Sequence, residues 1–136
     1  MDDRTILVVD DDAEMRALLL EVLRQEGYQV EEAANGAEAL SRLRTKAFAA
    51  IIMDKNLPGL GGLYLLSGLR VICRETPVIL ITTLADSAPY LEGLKKGVFE
   101  YVFKPFRIQE LLQVLRRALP PVDRSSSSSL VFGEAG

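Results

Sequence analysis

The sequence contains no histidine, and this absence removes several kinds of catalytic machinery at once. Without histidine, neither a Ser-His-Asp triad nor a Cys-His pair can be assembled from the chain. A zinc site would need carboxylates and a single thiol, a ligand set that proteins seldom use. Any chemistry must therefore depend on carboxylates, lysine, hydroxyl groups and a hard metal ion.

Cysteine and long apolar runs are also scarce. Cys73 is the single cysteine, which excludes an intramolecular disulfide and favours a reducing, cytoplasmic location. The purest apolar stretches, 48–53 and 78–81, are far shorter than the roughly 18 residues that a membrane span requires. The first four residues, Met1 to Arg4, lack the apolar core of a signal peptide. We therefore expect no membrane association.

Basic residues are not in excess, since 16 Lys and Arg stand against 19 Asp and Glu, for a net charge of −3. A nucleic-acid surface needs a clear basic excess, so we expect no direct nucleic-acid binding. The 136 residues, 49% of them hydrophobic, suit one domain with a sizeable core.

Short apolar runs alternate with amphipathic stretches five times, which predicts a parallel sheet with helices on both faces. The predicted strands are 5–10, 28–32, 49–53, 78–82 and 101–103. The predicted helices are 13–25, one opened by Asn35-Gly36, one across 63–72, then 87–96 and 107–119. Their inward residues include Met15, Leu18, Leu19, Val22 and Leu23, then Ala37, Leu40 and Leu43, and finally Ile108, Leu111, Leu112 and Leu115.

Polar residues follow four of these strands, and ligands bind at this edge of a parallel sheet. The first strand ends in Asp10, Asp11 and Asp12, the third in Asp54, the fourth in Thr82 and the fifth in Lys104. Three or more converging carboxylates would repel one another without a cation, and oxygen ligands favour Mg²⁺. Lysine and a hydroxyl beside them indicate phosphoryl transfer, with Asp54 as the nucleophile because the third strand is central. Alternatively, these aspartates only cap the first helix. Asp12 is the best candidate for that cap.

Four motifs carry a resemblance: ILVVDDD (6–12), MDKNLPG (53–59), PVILITT (77–83) and YVFKPF (101–106). In this order and spacing, the chain resembles the CheY-like receiver domain of bacterial two-component response regulators. The resemblance implies a flavodoxin-like (βα)5 α/β fold, doubly wound, with strand order 2-1-3-4-5. Residues 1–119 would be the receiver, and 120–136 a Pro/Ser-rich linker or the start of a connection to an output domain. The run at 97–106 is similar to NtrC-like transcription activators.

The resemblance also assigns the phosphorylation site. It implies that Asp54 accepts a phosphoryl group from a sensor histidine kinase or a phosphotransfer protein. Mg²⁺, for which Mn²⁺ can substitute, would be bound by Asp11, by Asp54 and by the backbone carbonyl of Asn56. Asp10 would act mainly through a metal-bound water.

The same resemblance implies a switch. Thr82 and Lys104 would bind phosphoryl oxygens, and Tyr101 would turn inward when Thr82 moves. The Lys104–Pro105 bond would be cis. Output would pass through the surface of the fourth helix, fifth strand and fifth helix, which also offers a homodimer contact.

Three of these residues could instead have a purely structural role. The sequence also departs from the family pattern at three positions. Lys104 could be a surface lysine, Thr82 a strand former and Tyr101 a core residue. The departures are Gly61, Thr83 and Leu84, and none of them removes a core catalytic group.

Two rival functions use the same residues. One is a Mg²⁺-dependent phosphohydrolase with an aspartyl nucleophile. Haloacid-dehalogenase-like enzymes, however, carry that nucleophile on the first strand and usually have a capping insertion. The other rival is a stand-alone or degenerate receiver that acts only by protein binding.

Overall fold

A computed structural model of the 136-residue chain describes residues 5–57, 62–83 and 98–119. The strands are β1 (Thr5–Val9), β2 (Gln29–Ala33), β3 (Ala50–Asp54), β4 (Val78–Thr83) and β5 (Glu100–Lys104). The helices are α1 (Ala13–Gln25), α2 (Gly36–Thr45), α3 (Gly62–Ile72) and the last helix (Ile108–Ala118). The helix predicted at 87–96 and the linker predicted at 120–136 lie outside the described residues.

The five strands form one parallel sheet in the order β2-β1-β3-β4-β5, as expected. The three central strands are buried along nearly their whole length, which explains why they read as continuous apolar runs. The predicted edge strand is β2, in which only Val30 and Ala33 are buried. It runs one residue further along the chain than predicted.

Two hydrophobic cores lie on opposite faces of this sheet. Leu7 and Val9 of β1 face a core shared with α2 and α3, whereas Ile6 and Val8 face a core shared with α1 and the last helix. The alternation places α-helices on both faces, so the doubly wound fold is confirmed. None of the helices in the described residues is long and apolar enough to cross a membrane.

Two of the predicted inward residues are wrong. Leu18 is 45% exposed, and its neighbour Leu20 is buried instead. In α2 the buried alanine is Ala39, whereas Ala37 is exposed. In the last helix, Leu111, Leu112 and Leu115 are buried as predicted.

The predicted cap at the start of α1 is confirmed, and a glycine follows the end of the helix. The Asp12 side chain accepts hydrogen bonds from the amides of Glu14 and Met15, at 3.0 and 3.3 Å, and so caps the helix. Gly27 follows the helix with a φ of 97°, a conformation that favours glycine. The cap at Asp12 matters for the site because it fixes the turn directly after β1.

Candidate functional site

The strand register brings the polar residues to one edge of the sheet. Asp54 is paired with Ile81, so it lies one residue before the level of Thr82. Lys104 is paired with Thr83 across the β4–β5 ladder. Asp10 follows β1, which lies next to β3. The site is therefore formed where β1, β3, β4 and β5 end.

The centre of this site is an ion pair between Asp54 and Lys104. The Lys104 Nζ atom lies 2.8 Å from Asp54 Oδ2, and the backbone amide of Asn56 donates to Asp54 Oδ1 at 2.8 Å. Asp54 is only 4% exposed. Burial alone would lower the pKa of Lys104, but the hydrogen bond and charge of Asp54 outweigh it and raise that pKa above its ordinary value. The lysine is therefore held fully charged.

Asp10 is the second buried carboxylate of the site. It is 2% exposed, and its Oδ1 atom accepts a hydrogen bond from the Asp12 amide at 2.9 Å. Burial raises its pKa above the ordinary value, and the nearby charge of Asp54 adds to the effect, although the bond from Asp12 opposes it. Its Oδ2 atom is buried without a hydrogen-bond partner among the described residues. An oxygen in this state is available to a cation or to a water bound by one.

Thr82 supplies a second buried oxygen without a partner. The residue is 1% exposed, and its Oγ1 atom has no hydrogen-bond partner within the described parts of the chain. Buried hydroxyls normally have a partner, because leaving one unpaired costs about 1–3 kcal/mol. This group is suited to donate to a ligand that enters the site.

Asp11 and Asn56 have exposed side chains at the rim. Across the described ranges, no three acidic or cysteine side chains are placed to hold a metal ion together. The charges of Asp54 and Asp11 nevertheless both act on Asp10, and the charge of Lys104 opposes them. The metal role of Asp11 and of the Asn56 carbonyl stays a prediction.

The residues present nevertheless fit a magnesium ion. The donor set contains only oxygen, and one buried oxygen, Asp10 Oδ2, lacks a partner among the described residues. Mg²⁺ is typically held by one or two carboxylates and keeps several waters, so the Asp10 and Asp54 carboxylates are a sufficient start. When bound, the ion would neutralise these carboxylates and draw phosphoryl oxygens into place.

Tyr101 is turned inward in this structure. It is 5% exposed and lies in the core shared with α2 and α3. Its ring stacks on Phe103, with ring centroids 6.0 Å apart and an interplanar angle of 18°. Phe103 is paired with Thr82 on the neighbouring strand. Packing and switching both fit this position, so the switch role stays a prediction.

The Lys104–Pro105 bond is cis, as expected. Thr83 ends β4 half-buried, whereas the other two departures, Gly61 and Leu84, lie outside the described residues.

One residue that contacts the site was not foreseen from the sequence. Arg16, on α1, donates from Nη1 to the carbonyl oxygen of Asp10 at 2.8 Å. An arginine on the flank of an amphipathic helix looks like any solvated charge, so hydrophobic periodicity gives no sign of it. The only available signal was its position four residues after the predicted cap Asp12.

This geometry lies at one edge of a doubly wound parallel sheet, and comparison with known proteins specifies the class of the domain. Residues 6–116 match the response regulator receiver domain, and the chain belongs to this family. Proteins of this family are phosphoacceptor signalling domains of two-component systems, and they generally use Mg²⁺.

Three similar proteins show the range of the family. The chain is 39% identical over 119 residues to the uncharacterized transcriptional regulatory protein YkoG of Bacillus subtilis, an alignment covering 88% of this chain and 52% of YkoG. It is 33% identical to sporulation initiation phosphotransferase F of the same species, covering 88% of this chain and 97% of that protein. The structure of chemotaxis response regulator CheY4 of Vibrio cholerae superposes with a TM-score of 0.80 at 32% identity, covering 87% of this chain and 100% of CheY4. The chain thus spans about half of YkoG but nearly all of the other two.

Changing Asp11 tests the proposed metal ligands. Replacing Asp11 with Ala removes one negative charge and one oxygen ligand, so we expect Mg²⁺ to bind at least tenfold more weakly, about 1.4 kcal/mol. Isothermal titration calorimetry with magnesium chloride measures this affinity. An unchanged affinity would show that Asp11 is not a ligand.

Proposed function

We propose that this chain is a phosphorylation-activated signalling switch in which Asp54 accepts a phosphoryl group in the presence of Mg²⁺. The observation that carries the proposal is the arrangement around Asp54. A buried carboxylate is paired with Lys104 at 2.8 Å, and two buried oxygens nearby, Thr82 Oγ1 and Asp10 Oδ2, lack partners among the described residues. A phosphoryl group and its metal would give each of these atoms a partner.

The chemistry follows from the charges in place. A carboxylate oxygen of Asp54 forms a bond to phosphorus while the bond from phosphorus to the donor nitrogen or oxygen breaks. The donor leaves with that electron pair: an imidazole nitrogen takes a proton from solvent, whereas acetate leaves as its carboxylate. During transfer, negative charge moves from the Asp54 carboxylate to the phosphoryl oxygens. Lys104 donates to one phosphoryl oxygen, and the Thr82 hydroxyl donates to another. The rest of the catalysis is positioning.

The phosphoryl donor is proposed to be a sensor histidine kinase or a phosphotransfer protein. The chain itself has no histidine, so the donor imidazole must come from another protein. Beyond its own phosphorylation and dephosphorylation, we propose no enzymatic activity. The proposed output is transcription regulation through an attached domain, supported by the name of YkoG, of which this chain matches about half. The division into a receiver at 1–119 and a connection at 120–136 belongs to the same proposal.

Uptake of phosphate from a small donor tests the function directly. With acetyl phosphate and Mg²⁺, the chain should gain the mass of one phosphoryl group, because a bound cation would neutralise the buried carboxylates Asp10 and Asp54. Mass spectrometry of the intact protein measures the gain, and chelation of the metal should prevent it. Steady hydrolysis of small phosphate esters would instead support the phosphohydrolase.

The output surface gives a second test. Thr82 and Lys104 lie at the ends of β4 and β5, so a phosphoryl group bound to both should alter those strands and the last helix. The coupling expected of such a switch is roughly 1–3 kcal/mol, about five- to 150-fold in population. Amide hydrogen exchange with and without beryllofluoride should show changes there and in the segment predicted as the fourth helix. Changes confined to α1 and α2 would contradict this output route.

A further inference from the structure

Arg16 links the end of β1 to the edge strand of the sheet. Its Nη1 atom donates to the carbonyl oxygen of Asp10 at 2.8 Å, and its Nε atom donates to Glu32 Oε1 at 2.8 Å. The Arg16 side chain is only 19% exposed, so the guanidinium lies against the protein rather than in open solvent. Glu32 belongs to β2, so the arginine connects α1 to β2 and to the residue that follows β1.

The bond from Arg16 completes the set of contacts that hold Asp10. The Asp10 amide donates to the Ala33 carbonyl at 3.1 Å, and Asp10 Oδ1 accepts from the Asp12 amide at 2.9 Å. The Asp10 carbonyl is taken by Arg16. Oδ2 is thus the one polar atom of Asp10 left without a partner among the described residues. Three of the four polar atoms of this residue are held by hydrogen bonds, and the fourth is buried and free to bind a ligand.

The orientation of the carbonyl group that Arg16 binds also affects where the Asp11 carboxylate lies. The Asp10 carbonyl and the Asp11 amide lie in one rigid peptide plane. Arg16 fixes the start of the turn through this plane, and the helix cap at Asp12 fixes its other end. Asp11 lies between these two anchors, so rotation of the plane would displace its carboxylate.

We propose that Arg16 is a positioning residue for magnesium: it holds the peptide between Asp10 and Asp11 so that both carboxylates serve the same ion. This inference rests on the proposed function. The planar guanidinium suits the task because it presents several donors in a fixed fork, one for the carbonyl and one for Glu32. A lysine ammonium is a compact point charge and cannot reproduce both contacts in this geometry.

A positioning role and a simple charge effect predict opposite results. Removing a positive charge near a cation site should strengthen Mg²⁺ binding if only Coulomb forces act. If Arg16 positions the ligands, its loss should instead weaken binding. Arg16→Met keeps an apolar stem but has no donor, so we expect it to reduce Mg²⁺ affinity about tenfold.

The matched control is Arg42→Met. Arg42 also projects from a helix and is paired with β2, through Glu31 at 3.3 Å, and it pairs with Glu38 at 3.7 Å. No site residue is among these partners. Calorimetry with magnesium chloride, and the rise in melting temperature that Mg²⁺ produces, should show an unchanged affinity in this variant.

Two further variants separate geometry from charge and from folding. Arg16→Lys keeps the charge and should recover only part of the affinity, and full recovery would overturn the positioning role. Glu32→Gln frees the guanidinium without removing it and should cause a smaller loss in the same direction. If Arg16→Met fails to fold, an unchanged affinity in Glu32→Gln overturns the inference.

The same measurements distinguish a failure of the Arg16 inference from a failure of the proposed function on which it rests. If the parent chain neither binds Mg²⁺ nor takes up phosphate, the proposed function and the role of Arg16 both fail. If the parent does both and Arg16→Met binds Mg²⁺ as well as the parent or better, only the role of Arg16 is wrong. An equal loss in Arg42→Met would show a general effect of stability and would also overturn it.

Discussion

Replacing Asp54 with Asn should abolish phosphate uptake from acetyl phosphate. The amide is nearly the same size as the carboxylate, but its nitrogen and oxygen are poor nucleophiles, so no acyl phosphate can form. The amide also no longer attracts Lys104, whose Nζ lies 2.8 Å from Oδ2 in the parent. Intact-protein mass spectrometry with Mg²⁺ present should show no added phosphoryl group. Labelling at the parent level would mean that another residue is the acceptor.

The control for this variant is Asp12→Asn. Asp12 lies two residues from Asp10, but its side chain caps α1 by accepting from Glu14 and Met15. Asn caps helices about as well as Asp, so both the fold and the labelling should persist. Loss of labelling in both variants would indicate that removing any negative charge at this edge is sufficient, and that Asp54 has no special role.

The strand order and the polar edge could be expected because they depend on patterns that the chain makes plain. Continuous apolar runs at β1, β3 and β4 indicate strands buried on both faces, and this holds whatever the neighbouring helices do. The residues that follow such strands must then meet at one edge. Asp54, Thr82 and Lys104 lie there by topology, before any side-chain contact is considered.

The sequence pattern could not predict which residues of a helix face the sheet. In α1, Leu18, Leu19 and Leu20 are consecutive, so hydrophobicity alone cannot decide which of them faces the sheet. The helix orientation is set by its contacts, and it buries Leu19 and Leu20 while Leu18 remains 45% exposed. In α2 the same ambiguity among small residues favoured Ala37 over Ala39.

The polar contacts of the site were harder still to predict. Arg16 reaches Asp10 across the turn of three aspartates, and the bond is made to a carbonyl oxygen, a group that every residue has. Sequence patterns identify side-chain chemistry at strand ends, but they do not identify which backbone group a distant side chain will bind. Contacts that orient a site therefore appear only once the backbone is in place.

Lys104 is the residue for which two effects of opposite sign should be seen together. Its ammonium group binds Asp54 Oδ2, and this oxygen is one of those that a metal ion would need as a ligand. Replacing it with Met removes that competitor and a positive charge, so Mg²⁺ should bind about two- to fivefold more tightly, the size expected of a partly exposed ion pair. Calorimetry with magnesium chloride measures this gain.

Phosphate uptake by Lys104→Met should fall even as metal affinity rises. The lysine is the fixed cation that remains when negative charge moves onto the phosphoryl oxygens, and the loss of one such preorganised donor costs about 10²–10³ in rate. The initial rate of labelling at saturating Mg²⁺ measures this loss. The control is Lys46→Met, since Lys46 pairs with Glu31 on an exposed surface at 2.9 Å and contacts none of the site residues. If Lys104→Met loses metal affinity and rate together, the lysine acts by holding the carboxylates in place. If the rate falls while metal affinity rises, as the geometry predicts, the lysine acts on the phosphoryl group itself.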